Sequence, residues 1–538
     1  MHGRILTAES ATSGHPEFHL YTNQIPSELT LQGTVQSQTW TSVTSLSLNK
    51  SQAVELFEIG RDLAEKGTGL KNSHVEAWEN KWNHGCIHVD GNLTLSKAVH
   101  ASMYYILSSL PPLTVKPADF IFYGLSPGSL ATGGKTHDDD YNGHVFWDME
   151  TWMYPAMLIF HPSLAKMMLM YRVRNLEAAK SKARSHGYKG AMFPWESAYS
   201  GIEVCPGAPY ADYEQHITGD IALAVWQYLS VTRDVDFLNQ DGGWQLITSI
   251  AEFWESRVEL DQVTGKYVIK GVMPPDEYHR CVDNSVYTNV VAKISLQLPY
   301  FAAKLIGRAD DVTSHWSTIA DNLHIPFDDV NRYHPEFDGY TLGTEVKQAD
   351  VILLGFPLNY DMPADVRRND LVNYDKVTDQ WGPAMTWSMF AIGWLELAEY
   401  KKANDVFQRC FANIQEPFKT WTEVADGSGA YNFITGMGGF LQTIIFGYGG
   451  IRIHSDYLEL NPVLPIGTDK LTFTGINYLE ASFTVVVKET MVTITMDTKA
   501  ETAEVFELVH KDEVKVFVKG EPIQAERCKL QIRNKGIG

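Results

Sequence analysis

Cysteine is scarce in this sequence and shows none of the spacings that hold metals or form disulfide frameworks. The five cysteines are scattered, odd in number and never spaced as CxxC. Neither a disulfide-stapled scaffold nor a zinc site is therefore indicated. A reducing, cytoplasmic compartment is the default expectation, although the sequons Asn49-Lys50-Ser51 and Asn92-Leu93-Thr94 leave secretion open.

Long apolar runs and clusters of basic residues are also missing. No stretch is apolar for long enough to span a bilayer, and Met1 to Leu6 lack the apolar segment of a signal peptide. The net charge is −21, and Lys and Arg do not occur in runs. This composition argues against a nucleic-acid or membrane partner and favours an uncharged, hydroxylated one.

The 538 residues have a hydrophobic share of 44%, and their periodicity changes twice along the chain. Residues 1–52 are rich in Ser and Thr, and alternation in 43–48 predicts strands, which we interpret as a remnant of an N-terminal β sandwich. Residues 53–92 are predicted to be a helical linker. After residue 456 the period is two, which predicts a small C-terminal antiparallel β domain over 456–538.

Between these segments, residues 93–455 have a helical period almost throughout. Apolar residues of 244–258 recur at three- and four-residue steps, which predicts one buried stripe. Long loops dense in Gly, Pro, Trp and acids separate alternate helices, whereas ordinary connections are short, so the loops are predicted to be functional. The predicted helices span 163–186, 217–229, 244–258, 285–305, 315–323, 383–400 and 439–448.

One of these loops, 273–280, contains two prolines that exclude a helix. The prolines stiffen a turn that presents Asp276 and Glu277 beside Tyr278 and His279. An isolated Asp-Glu pair is more often a solvated turn. A rigid loop is also where catalytic groups concentrate, and we predict that Glu277 has a chemical role.

Other loops repeat the combination of an aromatic ring with an acid. Trp147-Asp148, Trp195-Glu196 and Trp421-Thr422-Glu423 each place an indole near a carboxylate. A sugar stacks its C–H face on such a ring and donates its hydroxyls to the acid. For Asp148 a helix start with a buried Trp147 is an equally good interpretation.

Together these loops predict one cleft with several carboxylates, which is what glycosidic bond cleavage requires. One acid protonates the leaving oxygen, and a second carboxylate activates water or attacks carbon. The segment Gly133-Gly134-Lys135-Thr136 lacks the first glycine of a phosphate-binding loop, and no strand precedes it, so that function is not predicted.

Over roughly residues 90–455 the sequence resembles glycoside hydrolase family 65. The resemblance implies an (α/α)6 barrel for 93–455, hence a mainly α fold with a small C-terminal β domain, and no cofactor. The motifs that support it occur in the family's order: His144-Val-Phe-Trp-Asp148, Pro275-Asp-Glu-Tyr-His279, Val282-Asp-Asn284, Tyr287-Thr-Asn289, Lys347-Gln-Ala-Asp350 and Gly436-Met-Gly-Gly439.

The resemblance implies an inverting mechanism with Glu277 as general acid, Glu423 as the base that activates water, and Asp148 as a third carboxylate at the cleaved glucose. The substrate-binding residues it and the aromatic loops suggest are Trp147, Lys347, Gln348, His279 and Trp195. His279 is predicted to orient its neighbours, because no second His or Cys stands at metal-ligand spacing.

The implied activity is release of glucose from the glucosyl-galactosyl unit on collagen hydroxylysine, or from a related α-glucoside. Gly382-Pro-Ala-Met-Thr386 stands where phosphorylases of the family have a Ser-rich phosphate loop, which favours hydrolysis. A disaccharide phosphorylase or trehalase, and an inactive carbohydrate-binding form, remain the alternatives, and the oligomeric state stays open.

Overall fold

The computed structural model describes residues 1–4, 15, 17–30, 33–34, 37–111, 124–129, 141–511 and 513–536. The chain divides into two compact units, Met1–Asn83 and His84–Gly538. The site-bearing residues belong to the second unit. None of the helices in the described part of the chain has the length and apolar character needed to cross a bilayer.

The first unit contains an antiparallel sheet followed by helices. Asn49 begins the first helix, since its side-chain oxygen accepts hydrogen bonds from the amides of Ser51 and Gln52. The predicted strand at 43–48 and the helices predicted in 53–82 are present in outline. The elements are β1 (His2–Arg4), β2 (Glu17–Thr22) and β3 (Thr44–Ser47), paired in that order, then α1 (Lys50–Glu65) and α2 (Gly69–His84).

The second unit begins with a strand, β4 (Cys86–Asp90), inside the segment predicted to be a helical linker. Ile87 and Val89 are buried while His88 is exposed, which is the period-two pattern of a half-buried strand. The helical prediction is wrong here because these five residues pair with a distant strand rather than following the local helices.

The helices of the second unit pack in neighbouring pairs, including α8 on α11, α14 on α15 and α3 on α16. They are α3 (Leu93–Ser108), α4 (Tyr154–Phe160), α5 (Pro162–Arg174), α6 (Leu176–Ser185), α7 (Ala208–Tyr213), α8 (His216–Thr232), α9 (Val235–Asn239), α10 (Gly243–Arg257), α11 (Val286–Ile306), α12 (Ser314–Asn322), α13 (Ala364–Asp375), α14 (Thr386–Glu396), α15 (Tyr400–Arg409) and α16 (Ile434–Gln442).

Several predicted helices differ from the observed ones at their ends. Residues 163–186 form two helices, α5 and α6, with Asn175 between them. Residues 383–385 precede α14, and Ala398 has a left-handed φ of 56° before α15 begins. The buried stripe predicted in 244–258 is confirmed in α10, where Leu246, Ile250 and Trp254 are fully buried.

Two π-helical turns were not predicted. They span Met149–Met153, directly after Asp148, and Thr443–Tyr448, directly after α16. Insertion of an extra residue in a turn leaves little trace in a 3.6-residue pattern, and such turns are frequent at functional sites. They fix where the Trp147-Asp148 pair lies relative to α4.

The C-terminal strands form two five-stranded antiparallel sheets, as the period-two pattern predicts. The strands are β9 (Arg452–Ile453), β10 (Tyr457–Leu460), β11 (Lys470–Tyr478), β12 (Ala481–Val487), β13 (Met491–Lys499), β14 (Phe506–His510), β15 (Glu513–Val516), β16 (Pro522–Glu526) and β17 (Leu530–Asn534). One sheet has the order β15-β14-β17-β10-β9 and the other β16-β13-β12-β11-β4. Strand β4 therefore joins the start of the helical region to the C-terminal sheet.

Short two-stranded pairings brace the loops at the mouth of the helices. They are β5 (Glu259–Leu260) with β6 (Tyr267–Val268), and β7 (Ile414–Gln415) with β8 (Thr420–Trp421). The second pair leads directly into the loop of Glu423.

Candidate active site

The loop of Glu277 is closed at its base by paired backbone hydrogen bonds. The amides of Val272 and Val282 each donate to the carbonyl of the other at 2.9 Å, and Met273 N donates to Tyr213 O at 2.9 Å. Pro274 and Pro275 need no amide partner and hold the backbone between these anchors. The loop is therefore a fixed frame for Asp276 and Glu277.

Lys347 and Gln348 dock against this frame. Lys347 Nζ lies 2.8 Å from Glu277 Oε2, its amide donates to Asp276 Oδ1 at 2.7 Å, and Gln348 Nε2 donates to Pro275 O at 2.5 Å. Burial lowers the pKa of Lys347, but the charge of Glu277 and then of Glu423 outweighs it, so that pKa is raised. Lys347 is therefore a firmly held cation among carboxylates.

Asp148 is buried at the start of the first π turn. Thr435 Oγ1, from α16, donates to Asp148 Oδ1 at 2.7 Å. Burial raises the pKa of Asp148 to about 7, with the charges of Glu423 and Glu277 adding to it and the Thr435 hydrogen bond opposing it. Asp148 can therefore exchange a proton near neutral pH.

Glu423 is held as a hydrogen-bond acceptor on both carboxylate oxygens. Tyr141 donates its hydroxyl to Oε1 at 2.8 Å, and the amide of Ala430 donates to Oε2 at 3.1 Å. Burial first, and the charge of Glu423 second, raise the pKa of Tyr141 well above its ordinary value. Tyr141 therefore remains a neutral donor that fixes the direction of the carboxylate.

The aromatic wall rests on a buried charge network. The rings of Trp147 and Trp195 have centroids 6.5 Å apart and an interplanar angle of 30°, and His216 lies edge-on to both. His216 Nε2 is 3.0 Å from Glu214 Oε2, and Nδ1 is 2.8 Å from Asp220 Oδ2. Burial lowers the His216 pKa, but the two carboxyl groups raise it to about 10, so a cation supports the two indoles.

These side chains surround one cavity of about 570 Å³. Seven of the eight predicted site residues line it: Glu277, Glu423, Asp148, Trp147, Lys347, Gln348 and Trp195. His279 does not. Its Nδ1 contacts Asp276 and its ring packs on Phe337, with centroids 5.1 Å apart, so His279 supports the acid loop from behind the cavity.

The cavity also contains residues that the sequence reasoning did not single out. Tyr141, Cys205 and Phe433 line it, and Thr435 touches it through Asp148. Their signal in the sequence is weak because each contributes through tertiary contact rather than through a local pattern. Tyr210 and Glu196 also line it, and both lie in the aromatic loops noted from the sequence, although neither was assigned a role.

The segment Gly133–Thr136, excluded above as a phosphate-binding loop, lies outside the described residues.

A helical barrel whose loops enclose an aromatic cavity with several carboxyl groups defines the glycosidase class. The description "glycosyl hydrolase family 65 central catalytic domain" matches residues 130–346, and the family's C-terminal domain matches 451–524. The chain belongs to glycoside hydrolase family 65, as its sequence motifs predict.

Relatives of known name agree with that assignment. The chain is 46% identical to protein-glucosylgalactosylhydroxylysine glucosidase of Gallus gallus, over 89% of this chain and 67% of the relative. It is 44% identical to the same-named protein of Danio rerio, over 92% of this chain and 76% of the relative.

A solved structure, a candidate kojibiose phosphorylase from the human microbiome, superimposes with a TM-score of 0.73. It is 19% identical and covers 95% of this chain and 74% of its own. At that identity the likeness concerns the fold alone, and it supports the predicted (α/α)6 barrel with C-terminal sheets.

Proposed function

We propose that this protein is an inverting α-glucosidase that releases glucose from the glucosyl-galactosyl unit on collagen hydroxylysine. The observation that supports it most is that Glu277 and Glu423, from loops distant in sequence, line the same aromatic cavity. An inverting enzyme needs an acid and a base on opposite faces of the sugar. The substrate is inferred from the names of the relatives that this chain resembles most among those compared.

In this proposal Glu277 protonates the glycosidic oxygen, and Glu423 removes a proton from the attacking water. Tyr141 and the amide of Ala430 donate to Glu423, which favours its carboxylate form and leaves it lone pairs for a water. Lys347, 2.8 Å from Glu277, is placed to hold that carboxyl group in position until the substrate enters. After protonation of the leaving oxygen, Lys347 stabilises the carboxylate that results.

The glucose unit is proposed to lie between Trp147 and the carboxyl groups. Asp148 and Gln348 face the cavity and can accept from and donate to its hydroxyls, while Trp195 extends the aromatic wall. Asp148 is proposed to act on the glucose itself, and His279 to orient the acid loop through Asp276.

Hydrolysis is favoured over phosphorolysis by the cavity's charge. Among the lining residues that the structure describes, Lys347 alone carries a positive charge, and it is already paired with Glu277. The segment before α14 contributes Pro383 and Met385, neither of which can bind a phosphate through its side chain. A second anionic reactant would therefore meet several carboxylates and one engaged cation.

The test is glucose release from glucosyl-galactosyl-hydroxylysine with and without inorganic phosphate, with the anomer followed by NMR. Free β-glucose formed at a rate independent of phosphate is the expected result. β-Glucose 1-phosphate as product would make the protein a phosphorylase. Absence of product from this and other α-glucosides would overturn the proposal in favour of a binding protein.

A further inference from the structure

Three buried carboxyl groups from three separate segments converge behind Glu277. Asp276 belongs to the acid loop, Asp350 follows Lys347 and Gln348, and Glu336 lies between α12 and that segment. Asp276 and Glu336 are 0% exposed and Asp350 is 2% exposed. Asp276, Glu336 and His279 each offer a ligand-type atom, and these atoms lie within 4.8 Å of one another. Three such groups cannot all be ionised in an apolar interior without a compensating charge or proton.

The hydrogen bonds of this cluster are unequal. Asp276 is fully supplied, since Oδ1 accepts from the amides of Lys347 at 2.7 Å and Tyr278 at 3.2 Å, and Oδ2 contacts the His279 ring. Asp350 Oδ2 accepts from the amide of Asp276 at 3.0 Å. Asp350 Oδ1 and both carboxyl oxygens of Glu336 have no hydrogen-bond donor among the residues that the structure describes.

A buried acceptor without a donor is costly, and a proton on one carboxyl group removes that cost by making it a donor. The electrostatics agree with Glu336 as the protonated member. Burial, and then the charges of Asp350 and Asp276, raise the pKa of Glu336 well above its ordinary value. Burial also raises the pKa of Asp350 to about 7, and there the hydrogen bond from the Asp276 amide and the charge of His216 oppose it.

The cluster also connects the parts that position the acid. The Asp276 amide to Asp350, the Lys347 amide to Asp276, and Gln348 to the Pro275 carbonyl all join the acid loop to the 347–350 segment. Glu336 adds a third segment, whose backbone carbonyl accepts from Val286 N at 2.8 Å at the start of α11. The relative position of Glu277 and Lys347 therefore depends on this junction.

We propose that Glu336 is a proton-bearing positioning residue, whose carboxyl O–H donates to the Asp276–Asp350 pair and locks the acid loop against the Lys347 segment. This rests on the proposed function in that Glu277 is taken as the proton donor. Glu336 itself does not touch the cavity and is not a catalytic residue.

The first test compares Glu336→Gln with Glu336→Ala in the full chain, using kcat and KM for the disaccharide substrate. Glutamine keeps the shape and an N–H donor without the proton, so kcat close to that of the wild type is expected. Alanine removes the donor and loosens the loop, and a misplacement of about 1 Å can lower kcat by about 10²-fold. Glu345→Gln, which removes an exposed carboxyl of the same connection, is the matched control. Equal loss in both Glu336 variants would overturn the proposal.

The second test does not depend on activity. An infrared difference spectrum of wild type minus Glu336→Gln at neutral pH is expected to show the carbonyl stretch of a protonated carboxylic acid, absent when Glu345→Gln is the reference. Absence of that band overturns the proposal, as does a stoichiometric divalent cation, found by elemental analysis, that Glu336→Gln loses. If the wild type cleaves no glucoside, the proposed function fails while the infrared result still decides the role of Glu336.

Discussion

At the residue scale, Asp148 combines burial with a place in the cavity wall. The raised pKa, about 7 against an ordinary 3.8, means that the folded state binds the proton more tightly than the unfolded chain does. The free energy of unfolding therefore falls as the pH rises between these two values. The protein tolerates this cost at a position where a carboxyl group faces the proposed glucose, as expected for a residue kept for function.

The corresponding prediction concerns Asp148→Asn, which keeps an oxygen to accept from Thr435. We expect a higher melting temperature at about pH 8 and little change at about pH 4, because the ionisation penalty is present only above the ordinary pKa. The gain is at most about 4 kcal/mol, at 1.36 kcal/mol for each unit of pKa, and glucose release should be largely lost. Thermal melts at both pH values check this, with the exposed Asp361→Asn as control. The same shift at both pH values would contradict the assigned ionisation.

The two proposed catalytic acids can be told apart by the leaving group. Glu277→Gln should lower turnover of the disaccharide by about 10²–10⁴-fold, because the leaving oxygen loses its proton donor. An α-glucosyl fluoride needs no such proton, so this variant should retain most of its activity on the fluoride.

Glu423→Gln is the matched comparison for that experiment. It should be impaired on both substrates, because the water still needs a base whichever group leaves. Binding of glucose, measured by calorimetry, should persist in both variants. Restoration of Glu423→Gln by the fluoride, or failure to restore Glu277→Gln, would reverse or remove the assigned roles.

At the element scale, the sequence predicts helices and strands best where one apolar pattern lasts for several turns. The stripe of α10 and the alternation of β11 to β13 are of this kind, and both are confirmed. The division of 163–186 at Asn175 and the π turn at Met149–Met153 were missed, since both are decided by packing against neighbouring helices. The site residues were predicted because their loops unite acids with aromatic rings.

The first π turn depends on a close approach by α16. A Cβ added to Gly438 would lie 2.4 Å from the carbonyl oxygen of Trp152 and 2.7 Å from its carbon. Gly438→Ala should therefore lower the free energy of unfolding by about 1–3 kcal/mol, since backbone cannot rotate away as a side chain can.

Gly447→Ala provides the comparison, because its added Cβ would first meet the tip of the Leu395 side chain, at 2.9 Å. A smaller loss is expected there. Urea unfolding of both variants checks this, and equal stability of Gly438→Ala and the wild type would show that the approach is not tight.

At the scale of the whole molecule, the order of a helical region followed by a β region could be predicted from the change of period. The contribution of β4 to the C-terminal sheet could not, since Cys86–Asp90 pairs with Lys470–Thr474 across almost the entire helical region. Likewise, the convergence of Asp276, Glu336 and Asp350 depends on three loops whose spacing in sequence says nothing of their distance. The division into four domains predicted from the sequence remains a prediction.

The pairing of β4 with β11 implies that the helical region and the C-terminal sheets unfold together. Gly475 in β11 has φ of +76°, and a Cβ there would lie 1.9 Å from the His84 carbonyl oxygen, just before β4. Gly467 has the same φ of +76°, but its nearest contact would be Asn92 Nδ2 at 3.8 Å. Replacing each glycine by alanine introduces the same backbone strain, and only Gly475→Ala adds the clash.

Every tryptophan after residue 83 lies at or before Trp421, so tryptophan fluorescence reports on the helical region and not on the C-terminal sheets. Gly475→Ala, although it lies in the sheet, should lower the fluorescence midpoint and the infrared midpoint for loss of sheet by the same amount. The decrease should exceed that of Gly467→Ala by several degrees, since about 1 kcal/mol shifts the melting temperature by about 2–4 °C in a domain of more than 150 residues. A lower sheet midpoint with unchanged fluorescence would mean that β4 does not couple the two regions.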